Sequence, residues 1–432
     1  MVNESSITPL TMTPYWWEAA KPEPQKETVL PASCDVVIVG AGYTGLSAAL
    51  TLGKAGLDVV ALDSEMPGFG ASSRNGGMIG NLLKPGLEGL FSQFGEERGT
   101  AIYQEALNSV SFIQERITEE DIDCDLSIKG RFYPAILKKH YSAMARDFEL
   151  RQKYLNIDEE MVGSAEYGED VDSSLYVGGL RQLHTGGLHP AKYLKGLLSA
   201  AKKAGVKVIA PMRAEELKRR NGGFTVVTGS GMIKCQHVLI ATNGYSSGLF
   251  SYIRNRIIPV GSTIIATEEL SENFVKSLFP TGRMITDTRK MLSYYRPSPD
   301  GKRVLLGGRP SVFPAAPEVQ AKALQRRLTE IFPQLAKTAL SHVWSGKVGY
   351  SFSTLPAVGQ QGGIFFAMGY CGSGVAMSGY LGHKAALKIL EDPAGETAFD
   401  NLPFEDRFYY KGNPWFLPPA MIGYKIRDKF GF

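Results

Sequence analysis

The chain has 432 residues, 44% hydrophobic and 21% charged, enough for two or three intertwined domains around a large core. A net charge of +4 without any dense Lys/Arg run argues against nucleic acid as a partner. Cys34, Cys124, Cys235 and Cys371 form no C-x-x-C pair and no histidine has zinc-ligand spacing, so neither a disulfide framework nor a metal site is expected, and a cytoplasmic, reducing setting fits.

Residues 1–33 are rich in Pro, Thr and Glu and read as an N-terminal arm, anchored by packing of "YWWEAA" (15–20). No basic segment followed by an apolar one precedes it, so no signal peptide is read. "CDVVIVGAGYTGLSAALTLGKAGLDVVALD" (34–63) then reads as strand, tight turn, helix, strand. Amphipathic helices follow at 96–117 and 138–155, and a third opens at Pro190 and closes at Gly205. Residues 214–236 alternate between turn signals at Asn221-Gly222-Gly223 and Gly229–Gly231, which predicts an antiparallel meander before the apolar strand "HVLIAT". A hairpin is expected over 291–309, turning at Pro299-Asp300-Gly301, then a helix over 317–335. "GGIFFAMGYCGSGVAMSGYLGHKAALKIL" (362–390) reads as strand, Gly-rich turn, helix. Two uncharged stretches, Val36–Gly53 and Val348–Gly382, fall on strand-turn-helix units broken by glycine rather than on membrane spans.

Three glycine segments carry the chemistry. Gly40-Ala41-Gly42-Tyr43-Thr44-Gly45 fits G-x-G-x-x-G between a strand and a helix, the setting in which backbone reaches a pyrophosphate at a helix N-terminus. Asp63, with Ser64 beside it, ends the next strand and is placed to accept hydrogen bonds from a ribose. The meander separates a glutathione-reductase-type FAD domain from a simple NAD domain. Ala214 at its start would approach the adenine, and Thr242 and Asn243 would end beside the dinucleotide. In "PGFGASSRNGGMIG" (67–80), Gly70, Ala71, Ser72, Ser73, Asn75, Gly76, Gly77 and Met78 would touch the ribityl chain and ring, with Arg74 facing a phosphate or the ring edge. The third segment offers Gly369, Tyr370, Gly372, Ser373, Gly374 and Val375 at another helix N-terminus, suited to a ring whose pyrimidine end gains negative charge on reduction. Cys371, among them, is expected to be neither nucleophile nor tether.

On these segments, and on "GGLHP", "YYR", "FPQL" and the tail "NLP…KIRDKFG", the chain resembles the D-amino-acid-oxidase-like superfamily of FAD oxidoreductases, in its gamma-glutamylputrescine oxidase branch. The resemblance implies an α/β fold, α+β overall. A Rossmann-type FAD-binding domain would comprise 34–90, 171–255 and 341–395; a mixed-sheet substrate-binding domain, 91–170 and 256–340; and a C-terminal tail, 396–432. It implies oxidation of an amine or amino acid C–N bond through noncovalent FAD, with O2 as acceptor giving H2O2, or a dehydrogenase passing electrons to a quinone or protein. It implies roles for Tyr294 or Tyr295, of which strand alternation lets only one face the substrate, and for Arg309 on a substrate carboxylate. Where related sarcosine oxidases carry an oxygen-activating lysine this chain has Leu305, with Arg74 or Lys347 as substitutes. Positions that tether flavin in some relatives hold Asn75 and Gly349-Tyr350. The tail segment 413–432 is apolar, aromatic and basic; packing on its own domain is preferred over a membrane surface, and a membrane-associated flavin-binding protein without turnover is the alternative of another class.

Overall fold

Val36–Val39 is wholly apolar because both of its faces are covered. In the computed structural model, which describes residues 10–25, 29–246 and 248–430, Val36 and Ile38 point into a core shared with the helix Tyr43–Lys54. Val37 and Val39 point into a second core beneath the meander. The strand pairs in parallel with Val59–Leu62 and His237–Ile240. Lys207–Ile209 and Ile364–Met368 extend the sheet in parallel, and Ala357–Gln361 closes one edge antiparallel, making six strands. The meander follows the sequence expectation: Ala214–Arg220, Gly223–Thr228 and Gly231–Cys235 form a three-stranded antiparallel sheet. Close approach requires two of the glycines. A Cβ at Gly45 would stand 1.8 Å from the Gly40 carbonyl oxygen, and one at Gly382 would stand 2.3 Å from that of Thr44. The first helix therefore starts against its strand and crosses the helix Gly374–Ile389 in contact.

A second, mixed sheet of eight strands runs Leu340–Tyr350, Ile258–Thr267, Val304–Gly308, Tyr294–Pro297, Met284–Thr286, Arg131–Pro134, Gly179–Gln182, Glu159–Val162. The hairpin turns where expected, with Gly301 at φ +71°. One face, including Ile265, Ile285, Tyr295 and Leu306, packs under the helix Pro317–Ile331 through Leu324, Leu328 and Ile331. The opposite face carries Tyr294, Leu305, Ile264, Ala266 and Trp344, packed with Trp16 of the arm.

The sheets cut across the expected division in three places. The helix Glu96–Glu119 buries Ile102, Tyr103, Ala106, Val110 and Ile113 in the core of the six-stranded sheet, although 91–170 reads as part of the other unit. Gly179–Gln182 and Leu340–Tyr350 belong to the eight-stranded sheet, although 171–255 and 341–395 read as the cofactor unit. Helical and strand periodicity show that a face is buried, and several partners satisfy the same pattern.

Residues 1–9 and 26–28 of the arm and 431–432 of the tail lie outside the described residues. Within the tail, Phe416 and Leu417 pack against Tyr410, Ile258 and Val260. Asp428 on the helix Leu417–Phe430 accepts from the Lys290 and Met291 amides at 2.7 and 2.8 Å. Phe408 and Trp415 remain 90% and 60% exposed, so self-packing is partial. Among the described residues, no helix is long and apolar enough to cross a membrane.

Candidate functional site

The carboxyl ends of the parallel strands open on a cleft of about 520 Å³. It is lined by Gly40, Gly42, Tyr43 and Thr44 from the first segment, Gly70, Ala71, Ser72 and Asn75 from the second, and Tyr370, Gly372, Gly374 and Val375 from the third. Asp63, Ser64, Ala214, Thr242, Asn243 and Lys347 also line it. Gly45 lies behind this wall, against Gly40. Segments tens to hundreds of residues apart are stitched together by short polar contacts. Ser72 Oγ accepts from the Tyr43 amide (3.0 Å), and the Thr44 and Tyr370 hydroxyls meet at 2.7 Å. Asn243, at φ +44°, accepts from the Gly369 amide at 3.0 Å. Its Oδ1 would lie 2.1 Å from a Cβ at Gly349, so a side chain at 349, such as a tethering cysteine, would displace it.

The cleft has the chemistry of a dinucleotide cradle. Gly40 (φ +106°) turns the chain under it. The helix Gly374–Ile389 has no side-chain cap, which leaves its first-turn amides and positive dipole end toward the cleft. Ser373 does not cap it because its hydroxyl donates to the Leu82 carbonyl at 2.8 Å. Asp63 accepts from the Ala41 and Glu65 amides at 2.8 and 3.1 Å, and burial raises its pKa to about 6. Thr242 bonds Ser246 at 2.7 Å.

The second glycine segment is held chiefly by tryptophans, which sequence reasoning missed as part of the site. Trp17 Nε1 donates to Ser73 Oγ (3.0 Å), Trp344 Nε1 to the Arg74 carbonyl (2.8 Å), and Trp16 Nε1 to the Asn75 carbonyl (2.8 Å). From below, Arg296 donates to the carbonyls of Gly77 (3.0 Å) and Leu188 (2.9 Å), and burial lowers its pKa to about 10. Asn75 folds the turn itself, accepting from the Gly77 amide at 2.7 Å. Ser73 is fully buried and donates to the Gly68 carbonyl at 2.7 Å. One signal was readable: a buried indole needs an acceptor, and "YWW" places two indoles in an otherwise polar arm.

Arg74, Tyr295 and Lys347 have distinct surroundings. Arg74 Nε donates to the Phe69 carbonyl at 2.6 Å, and its guanidinium lies over the adjacent Trp17 and Phe69 rings, 4.6 and 4.4 Å from their centroids. Tyr295 turns away, into the core under the helix, where its hydroxyl meets that of Tyr176 at 2.6 Å. Lys347 is exposed, with its ammonium 5.6 Å from the Tyr245 ring.

Strand alternation sends Tyr294 the other way. Its ring passes Gly76 and lies across Gly307, where a Cβ would stand 2.1 Å from the ring; its hydroxyl meets Ser262 Oγ at 3.0 Å. Burial pushes its pKa up to about 12, so it stays protonated. Arg309 donates to the Tyr350 hydroxyl at 2.5 Å and sits over that ring, and it has no ion pair among the described residues. Met78 sulfur stands 4.0 Å from both Arg131 and Thr286. Leu305 is 2% exposed and packed with Trp16 and Trp344. Cys371, at φ +53°, is 2% exposed; its thiol donates to the Gly369 carbonyl at 3.1 Å, and burial raises its pKa.

The comparisons with known proteins agree with this geometry. The chain is 31% identical to a probable oxidoreductase OrdL of Haemophilus influenzae, over 85% of each chain. It is 30% identical to gamma-glutamylputrescine oxidoreductase of Escherichia coli, over 92% of this chain and 94% of that one. Its fold superposes on glycine oxidase from Geobacillus kaustophilus with a TM-score of 0.72 at 20% identity, covering 88% of this chain and all of that one. Residues 35–387 match the model of the DAO family, FAD dependent oxidoreductases. The chain belongs to that family and is an FAD-dependent oxidoreductase acting on amine-type donors.

Proposed function

We propose that the protein oxidises a C–N bond of a small amine or amino acid carrying a carboxylate, in the space bounded by Tyr294, Arg309 and Tyr350. The observation that carries this reading is the convergence of the three glycine segments on one cleft, with a buried tyrosine against the second segment and, beside the third, an arginine without an ion pair among the described residues. Bound FAD would supply the two-electron acceptor for a C–H bond next to nitrogen, leaving an imine that water hydrolyses. The first-turn amides after Gly372 would stabilise negative charge on the ring, and Gly40, Gly42 and Asp63 would hold pyrophosphate and ribose. Arg309 would fix the substrate carboxylate and so the position of the reacting C–H bond. The Tyr294 hydroxyl would hydrogen-bond the substrate without giving up its proton.

Dioxygen is the first candidate for the second electron acceptor. The packing of Leu305 favours a second reading, a dehydrogenase passing electrons to a quinone or protein, because no ammonium occupies that position. The experiment is anaerobic titration of the purified protein with amines, N-methyl amino acids and gamma-glutamyl amines, followed by admission of air. Bleaching of a flavin band and fast peroxide formation support the oxidase; bleaching with slow reoxidation supports the dehydrogenase. A protein without a visible flavin band refutes the whole reading.

A further inference from the structure

Three cations converge beside the third glycine segment. Among the described residues Arg309 hydrogen-bonds the Tyr350 hydroxyl alone, and Tyr350 bridges to Tyr370 in that segment. Arg131 lies on the cleft-facing side of the eight-stranded sheet. It donates to Thr286 Oγ1 at 2.7 Å, stacks 4.8 Å over Tyr133, and leaves its buried Nε without a partner. Arg131 also lies across Gly80, where a Cβ would collide with its guanidinium. From Gly80 the chain runs to Leu82, whose carbonyl is bonded by Ser373, and on to Lys84. Lys84 thus follows a stretch held by Arg131 at Gly80 and by Ser373 at Leu82, and the charges of Arg309 and Arg131 both act on it. It makes no hydrogen bond or ion pair among the described residues. The Lys84 side chain opens on solvent-accessible space, and the Arg309 and Arg131 charges act to lower its pKa.

Acids nearby are already engaged. Glu159 accepts from Arg151 and Gln182, and Asp147 pairs with the same Arg151 and caps the amide of Leu87. That group leaves one negative charge against the three cations. Like charges gathered with too few acids repel one another, a cost that an anionic ligand removes.

We infer that Lys84 and Arg131 form a second anion subsite beyond Arg309, and that the substrate is an acidic amine with two carboxylates rather than one with a zwitterionic or cationic far end. This deepens the proposed amine oxidation and rests on it. The same cations disfavour a protonated substrate nitrogen, and so favour the neutral amine that is oxidised.

The test is calorimetric titration of the protein as isolated with glutarate, butyrate and 4-aminobutyrate, ligands of similar length bearing two carboxylates, one carboxylate, and one carboxylate with an ammonium. Glutarate should bind at least about tenfold tighter than butyrate, and 4-aminobutyrate weakest, as one added ion pair of ~1.4 kcal/mol requires. Lys84→Met and Arg131→Gln should each reduce the glutarate preference to below about threefold, while butyrate affinity stays within about twofold, on the same scale. Lys84 opens on solvent, so its replacement tests the subsite without disturbing the core. Equal affinity for glutarate and butyrate overturns the inference, as does an undiminished preference in both variants. The visible spectrum separates the two claims: a flavin band with no glutarate preference sinks the subsite alone. Glutarate preference in a protein without flavin sinks the proposed oxidation.

Discussion

Tyr294 and Tyr295 are adjacent and chemically identical, and the strand sends them to opposite fates. The Tyr295 hydroxyl has one buried partner, Tyr176. Tyr295→Phe strands that partner and should lower unfolding free energy by about 1–3 kcal/mol in urea titration, leaving kcat/KM unchanged. Tyr294→Phe should do the reverse: kcat/KM falls about tenfold, the loss of one substrate hydrogen bond, while the urea midpoint hardly moves. Asp63 gives a pH signature. Its folded pKa of about 6 lies above the ordinary 3.8, so its contribution to the stability of the flavin-free protein is fully present below pH 3.8 and lost as pH rises through about 6. Asp63→Asn should flatten that slope in urea unfolding across this window. It should also weaken FAD about tenfold, the loss of one charge-assisted bond. An unchanged slope would mean that the carboxyl is not held in a desolvating place.

At the scale of elements, the arm and the second glycine segment act as one unit. The indoles of Trp17, Trp344 and Trp16 engage residues 73, 74 and 75 in order, and Arg296 holds the carbonyl of residue 77. A loop fixed at successive positions presents its backbone to a ligand without an ordering cost at binding. Trp17 is half-buried, so Trp17→Phe keeps most of the packing and removes one hydrogen bond. We expect FAD affinity to drop about three- to tenfold, with a shifted flavin band, and the flavin-free Tm to change little. Trp16 is fully buried, and Trp16→Phe should show the same loss together with a lower Tm. A pure packing role would lower Tm in both variants and leave the spectrum alone.

For the whole molecule, the cleft lies between elements that meet only in the folded state, so FAD should stabilise by linkage. With FAD at 100 times its Kd, unfolding free energy should rise by about 2.7 kcal/mol, and Tm should climb with added FAD. Acid precipitation should leave the yellow colour in solution; colour retained in the pellet would mean a covalent tether. Much of this was legible in the chain. Gly40–Gly45 between strand and helix, the alternation over 214–236 and the glycines at 369–374 are local patterns, and local sterics dictate the turns and elements they form. Alternation also required that Tyr294 and Tyr295 part, but which one turned into the core depended on which face the helix Pro317–Ile331 covered. The tertiary structure alone brought Trp16 to Asn75, put Glu96–Glu119 on the six-stranded sheet, turned Arg74 onto two rings, and gathered Lys84, Arg131 and Arg309. Most of those contacts join residues tens to hundreds of positions apart, and an apolar or charged side chain carries no mark of the partner it will meet.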